Sequence, residues 1–143
     1  MRHSHTGRIP VNTHSILVMK KQTARSLLVR KSRIHGRGVF AGENIEKGAL
    51  LCVCPVLVVP RKDPSGEGML GAYYYEWSRT NDALILGLIS LVNHGQEPNT
   101  EVYTVHENKT AELYALKNLR KGEELLVDYG AEYPYIDPST YRS

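Results

Sequence analysis

Cysteine is scarce: Cys52 and Cys54 are the only two in 143 residues, too few and too close together to staple a fold. Positions i and i+2 of an extended strand share a face, so the pair reads as small apolar packing groups. A metal centre needs about four ligands at recognisable spacing, and no second Cys pair or His pair supplies them. Long apolar runs are missing as well. None approaches the roughly 20 residues that span a bilayer, and the short stretch Ile16-Leu17-Val18-Met19 stops at Lys20, unlike a signal peptide. The chain therefore reads as an intracellular protein without a membrane partner. Acidic residues are absent from the first 42 positions, which hold nine Lys and Arg, while the remainder carries nine basic residues against all fifteen acidic ones. A basic arm on an acidic body suits a cationic peptide partner. No aromatic residue precedes Phe40, so the arm has nothing to stack on bases, and nucleic acid enters only indirectly if at all.

What is present fits one globular domain, since single domains run to roughly 100–150 residues. The composition, 41% hydrophobic and 23% charged, is ordinary for such a domain. Residues 1–24 lack sustained periodicity and are predicted to form a loosely ordered arm. Short β-type segments follow at 26–30, 39–41, 49–59, 72–78, 100–106, 111–116 and 123–128, punctuated by Gly36, Gly38, Gly48 and Gly122. The domain is expected to be mostly β. The apolar stretch 84–92 fits either a buried strand or a strand followed by one helical turn, and periodicity does not choose between them. The stretch 60–71, with Pro60, Pro64, Gly66, Gly68 and Gly71, reads as a loop.

Three separated pieces carry chemistry: His35-Gly36-Arg37-Gly38-Val39-Phe40-Ala41, Asn93-His94-Gly95-Gln96-Glu97-Pro98-Asn99, and Gly122-Glu123-Glu124-Leu125-Leu126-Val127-Asp128-Tyr129-Gly130. Each alone has a plain structural reading, as a tight turn, a locally hydrogen-bonded loop and a strand end. Together and in this order they resemble the SET-domain lysine methyltransferases, over about residues 25–133. The resemblance is nearest to the short viral and bacterial members. Those also carry a Leu-Gly in an apolar run before the Asn-His, here Leu86-Gly87, and a Tyr-Gly-x-x-Tyr, here Tyr129-Gly130-Ala131-Glu132-Tyr133.

The resemblance implies a β-clip type fold of small curved sheets. Its C-terminal strand would be threaded beneath the 93–99 loop as a pseudoknot, joining Asn93 to Tyr129. It implies S-adenosyl-L-methionine as cofactor and the side-chain amine of a lysine, in a basic and histone-like protein or peptide, as acceptor. Gly36, Arg37 and Gly38 would lie beside the cofactor with their backbone exposed. Asn93 would take its amine, and His94 would meet its adenine through the main chain as a structural ligand. Tyr133 would help hold it. Tyr129 would orient the lysine amine, with Tyr75 as a second channel tyrosine; the run Tyr73-Tyr74-Tyr75 leaves that register open. Methyl transfer needs alignment and a water-poor channel more than a nucleophile. The protonated amine adds a barrier of roughly 4 kcal/mol at neutral pH, which burial beside a sulfonium lowers. Asp128 and Glu124 are therefore read as structural carboxylates.

The chain also departs from the family pattern. Gly95 stands where Ser is usual, and is expected to loosen its loop. Val127 stands where Phe or Tyr is usual, and is expected to leave room for di- or trimethylation. No C-terminal cysteine cluster builds a flap, which leaves Tyr133, Tyr135 or Tyr141 in the 134–143 region and before it, or the second subunit of a homodimer, to close the pocket. Lys21-Gln22-Thr23-Ala24-Arg25 is identical to a stretch of the histone-three tail, which would make Lys21 a candidate automethylation site or pseudosubstrate. The location would be cytoplasmic in a bacterium, and nuclear or chromatin-associated in a eukaryote or virus. The alternative function is a catalytically inactive SET fold that serves as a peptide-binding or interaction module.

Overall fold

A computed structural model describes residues 25–129, so the 1–24 arm, Lys21, Tyr133, Tyr135, Tyr141 and the 134–143 tail lie outside the described residues. Along the chain run β1 (Leu27–Lys31), β2 (Arg37–Ala41), β3 (Leu50–Pro60), β4 (Tyr74–Glu76), β5 (Asn81–Ile85), β6 (Asn93–His94), β7 (Thr100–Val105), β8 (Thr110–Ala115) and β9 (Leu126–Val127). Three short 3-10 segments, Pro64–Glu67, Met69–Tyr73 and Leu88–Leu91, are the only helical pieces among the described residues. None is long or apolar enough to cross a membrane.

The strands form three small sheets: the β1-β2 hairpin, a five-stranded sheet in the order β4-β5-β3-β8-β7, and the parallel pair β6-β9. β3 is the spine, since Val56 faces Ile85 of β5 while Cys54 faces Ala111 of β8. Alternation along these strands sends Cys54, Val56, Ala83, Ile85, Ala111 and Leu113 into one core, where Ile89, Leu119, Leu125 and Val127 join them. Cys52 and Cys54 are free thiols, the second fully within this core, as the packing reading requires.

The segment 123–127 is held from two sides. The Leu125 N–H donates to the Val39 carbonyl (2.8 Å) and the Ala41 N–H to that of Glu123 (2.8 Å), tying it to β2. Opposite, β6 pairs with it in parallel, and the Gly95 N–H reaches the Val127 carbonyl (3.0 Å). Asn99 completes the clasp: its Nδ2 donates to the Glu124 carbonyl (2.8 Å) and its Oδ1 accepts from the Leu126 N–H (2.7 Å). The Thr100 hydroxyl adds a bond to the Leu126 carbonyl (2.8 Å). This is the knot-like arrangement that the motif order implied.

Several segments differ from the sequence expectation for tertiary reasons. The stretch 84–92 divides, with β5 ending at Ile85 and a 3-10 turn at Leu88–Leu91. The strand expected at 72–78 starts later, because Met69–Tyr73 is 3-10. The 60–71 loop is structured by Asp63, whose carboxylate caps the Pro64–Glu67 turn by accepting from the Ser65 N–H (2.9 Å). The strand expected at 123–128 shortens to β9, since Glu124 meets Phe40 in a single bridge rather than a ladder. β6 has no strand signal of its own; its two residues are extended because β9 lies beside them.

Asn99 is 7% exposed and joins two backbone groups that would otherwise be buried without partners. Asn99→Ala is expected to cost about 2–4 kcal/mol, the scale of two lost buried hydrogen bonds. Urea unfolding of the two proteins measures it.

Candidate active site

Tyr129 follows β9 by two residues and is fixed at four points. Its phenol donates to the Val92 carbonyl, one residue before β6. Its N–H donates to Nδ1 of His94 (3.1 Å), and its ring stacks on the His94 ring at 5.4 Å between centroids. Its other side meets Tyr75 edge-on at 5.8 Å. Strand alternation in β4 decides the tyrosine register: Tyr75 packs toward the core and Tyr129, whereas Tyr74 bonds the Ser65 hydroxyl (2.7 Å). Tyr73 stays 42% exposed, at the edge of the same cavity. Burial pushes the Tyr129 hydroxyl above the usual tyrosine range, opposed by a hydrogen bond with Tyr75. It remains a neutral phenol at physiological pH.

Asn93 sits beside this aromatic group, on β6. Its Nδ2 donates toward three oxygens: the His35 carbonyl (3.0 Å), the Arg37 carbonyl (3.2 Å) and Oε1 of Glu124 (3.0 Å). Gly38 makes this meeting feasible, because a β-carbon there would stand 2.2 Å from that Glu124 oxygen and 3.2 Å from Asn93 Nδ2. Gly36 has φ +46°, the turn conformation that favours glycine. The missing β-carbons of Gly36 and Gly38 thus serve the turn and the Glu124 contact. Their neighbours His35 and Arg37 line the cavity.

The cavity measures about 570 Å³ and runs from His35, Arg37, Asn93 and His94 to Tyr75 and Tyr129. Its outer wall is the 60–73 segment, with Arg61, Lys62, Asp63 and Glu67, which sequence reasoning passed over as a plain loop. Four charged side chains within seven residues of a Pro/Gly-rich stretch were the available signal. Arg61 is tied to Asp82 (3.1 Å) and to the Ser78 carbonyl (3.0 Å), which braces this wall against β5. No cluster of His, Cys, Asp and Glu among the described residues could hold a metal ion.

The sequence pattern of the SET domain matches residues 36–130. The chain is 32% identical over 120 residues to the Schizosaccharomyces pombe histone-lysine N-methyltransferase, H3 lysine-37 specific, with 82% of each chain covered. The chain belongs to the SET-domain family. It is a protein-lysine N-methyltransferase, and its methyl donor is S-adenosyl-L-methionine. Human histone-lysine N-methyltransferase 2B is 31% identical over 133 residues, which are 85% of this chain but 5% of that protein. A crystal structure of a Plasmodium falciparum protein assigned as a histone methyltransferase matches with TM-score 0.65 and 29% identity, covering 76% of this chain and 96% of that one.

The fold of this SET domain places two departures from the family motif. Gly95 does not loosen its loop: a β-carbon there would lie 2.8 Å from the Leu126 side chain, and the residue is bonded to β9. Val127 is 2% exposed and packs in the core.

Tyr129 supplies a pH signature. A phenol held neutral by the fold contributes stability that is fully present below the unfolded tyrosine pKa of 10.0 and is lost as pH rises through the higher folded value. Denaturation measured at pH 9 and again above pH 10 should show a smaller loss for Tyr129→Phe than for the parent protein.

Proposed function

We propose that S-adenosylmethionine occupies the part of the cavity bounded by His35, Arg37, Asn93 and His94, and that the acceptor lysine meets it at Tyr129 and Tyr75. The observation that carries this reading is one cavity with hydrogen-bond acceptors at one end and a half-buried tyrosine pair at the other. The residues fit the cofactor. Its methionyl amine is cationic, and the Asn93 amide oxygen with the His35 and Arg37 carbonyls offers acceptors for it. His94 Nδ1 is engaged by the Tyr129 N–H, so this nitrogen positions the tyrosine rather than acting as a base. Gly36 and Gly38 act through the turn and the Asn93 network; Tyr133, a cofactor contact in the same reading, lies outside the described residues.

When bound, S-adenosylmethionine supplies an activated methyl group on a sulfonium. The Tyr129 hydroxyl gives its hydrogen to the Val92 carbonyl, which leaves oxygen lone pairs to accept from the incoming amine and aim its nitrogen. Tyr75 and Tyr129 form a wall that excludes water and disfavours the charged ammonium, so deprotonation proceeds without a dedicated base. Neither Asp128 nor Glu124 lines the cavity.

The substrate is read as a histone or a similar basic tail. The S. pombe relative is named for a histone-three lysine. A nuclear, chromatin-associated location follows from such a substrate. The relatives named above are eukaryotic. Kinship with the short viral and bacterial members rests on the Leu86-Gly87 run, on Tyr129-Gly130-Ala131-Glu132-Tyr133 and on the absence of a C-terminal cysteine cluster within these 143 residues.

Labelled cofactor incubated with histone octamers and with cell lysate should mark histone bands with the parent protein. Tyr129→Phe should reduce the rate by about 100-fold or more, the scale of a misplaced reacting group, while calorimetry shows cofactor binding retained. Equal labelling by both proteins would remove Tyr129 from the reaction.

A further inference from the structure

Glu124 is not among the cavity-lining residues, yet its carboxylate reaches Asn93, which faces the proposed cofactor amine. An amide NH2 has two hydrogens, and Asn93 Nδ2 is surrounded by three acceptors. The opposite orientation would set the Asn93 oxygen against two carbonyl oxygens and a carboxylate oxygen, all of them acceptors. The amide is therefore directional. Its oxygen, which takes no hydrogen bond from any described residue, remains available to a donor in the cavity.

An ammonium entering the cavity competes for the His35 and Arg37 carbonyls, because it too requires acceptors. If Asn93 depended on those carbonyls alone, ligand binding would strip the amide of its partners. Glu124 is the acceptor that a ligand in the cavity does not reach. Its backbone is immobilised by the bond from Asn99 Nδ2 (2.8 Å) and by the bridge to Phe40, and its side chain lies in the space that Gly38 leaves open. From this geometry we infer that Glu124 is a positioning residue, which holds the Asn93 amide with its oxygen toward the cofactor amine and frees the His35 and Arg37 carbonyls for the same group. The inference rests on the assignment of Asn93 to that amine.

The test compares two ligands of the full chain by calorimetry: S-adenosylhomocysteine, which keeps the amine, and 5′-methylthioadenosine, which lacks the amino-acid portion. Glu124→Ala should weaken S-adenosylhomocysteine about tenfold, as loss of one charge-assisted hydrogen bond does, and leave methylthioadenosine unchanged. Glu124→Gln, whose amide oxygen can still accept from Asn93, should restore most of the loss. If the Ala variant does not fold, Glu124→Asp, one methylene too short to reach, replaces it with the same expectation. Equal weakening of both ligands, no weakening of either, or a Gln variant as weak as Ala would each overturn the positioning role. Asn93→Ala separates the two levels. If it spares discrimination between the ligands, the Asn93 assignment falls and the inference with it; if it abolishes discrimination while Glu124→Ala does not, Glu124 alone is excluded.

Discussion

The clasp on residues 123–127 is the constraint from which the site follows. Two catalytic-motif segments separated by some thirty residues meet only because this stretch lies between β2 and the 93–100 region. Asn99 and Thr100 bind its backbone from one side, and Val39 and Ala41 from the other. Buried backbone groups must find partners, so a displaced strand would strand several polar atoms at once. The register of two residues in β9 thus determines where Tyr129 emerges, and with it the phenol's bond to Val92.

Around this clasp the polar and aromatic functions are kept apart. The carbonyls of His35 and Arg37, with Asn93, make an acceptor-rich end suited to a cation. Tyr75 and Tyr129 make an aromatic end, where burial keeps the Tyr129 phenol uncharged. Reaction of a sulfonium with an amine asks for that division, since positive charge is lost along the path and water competes with alignment. Gly38 and Gly95 leave the space into which the Glu124 and Leu126 side chains pack.

Much of this was legible in the residues. The short alternating segments and their turn glycines marked a β-rich domain, and most of the strands lie where they were expected. The three motifs, read in order, pointed to the family and to Asn93, His94 and Tyr129 as neighbours. Less legible was anything that depends on a contact across the chain. β6 is extended only because β9 runs beside it. The outer wall at 60–73 was opaque because its charged residues have no motif, and their function comes from folding over the cavity.

By itself the sequence determined the family, the mostly β architecture and the chemistry, because residue types at characteristic spacing record which groups the reaction requires. Only the tertiary structure decided which of three consecutive tyrosines faces Tyr129, why Gly38 and Gly95 carry no side chain, and what Glu124 does. Those answers depend on contacts between residues up to 86 positions apart, and such contacts are set by packing and hydrogen-bond closure in three dimensions rather than by local preference.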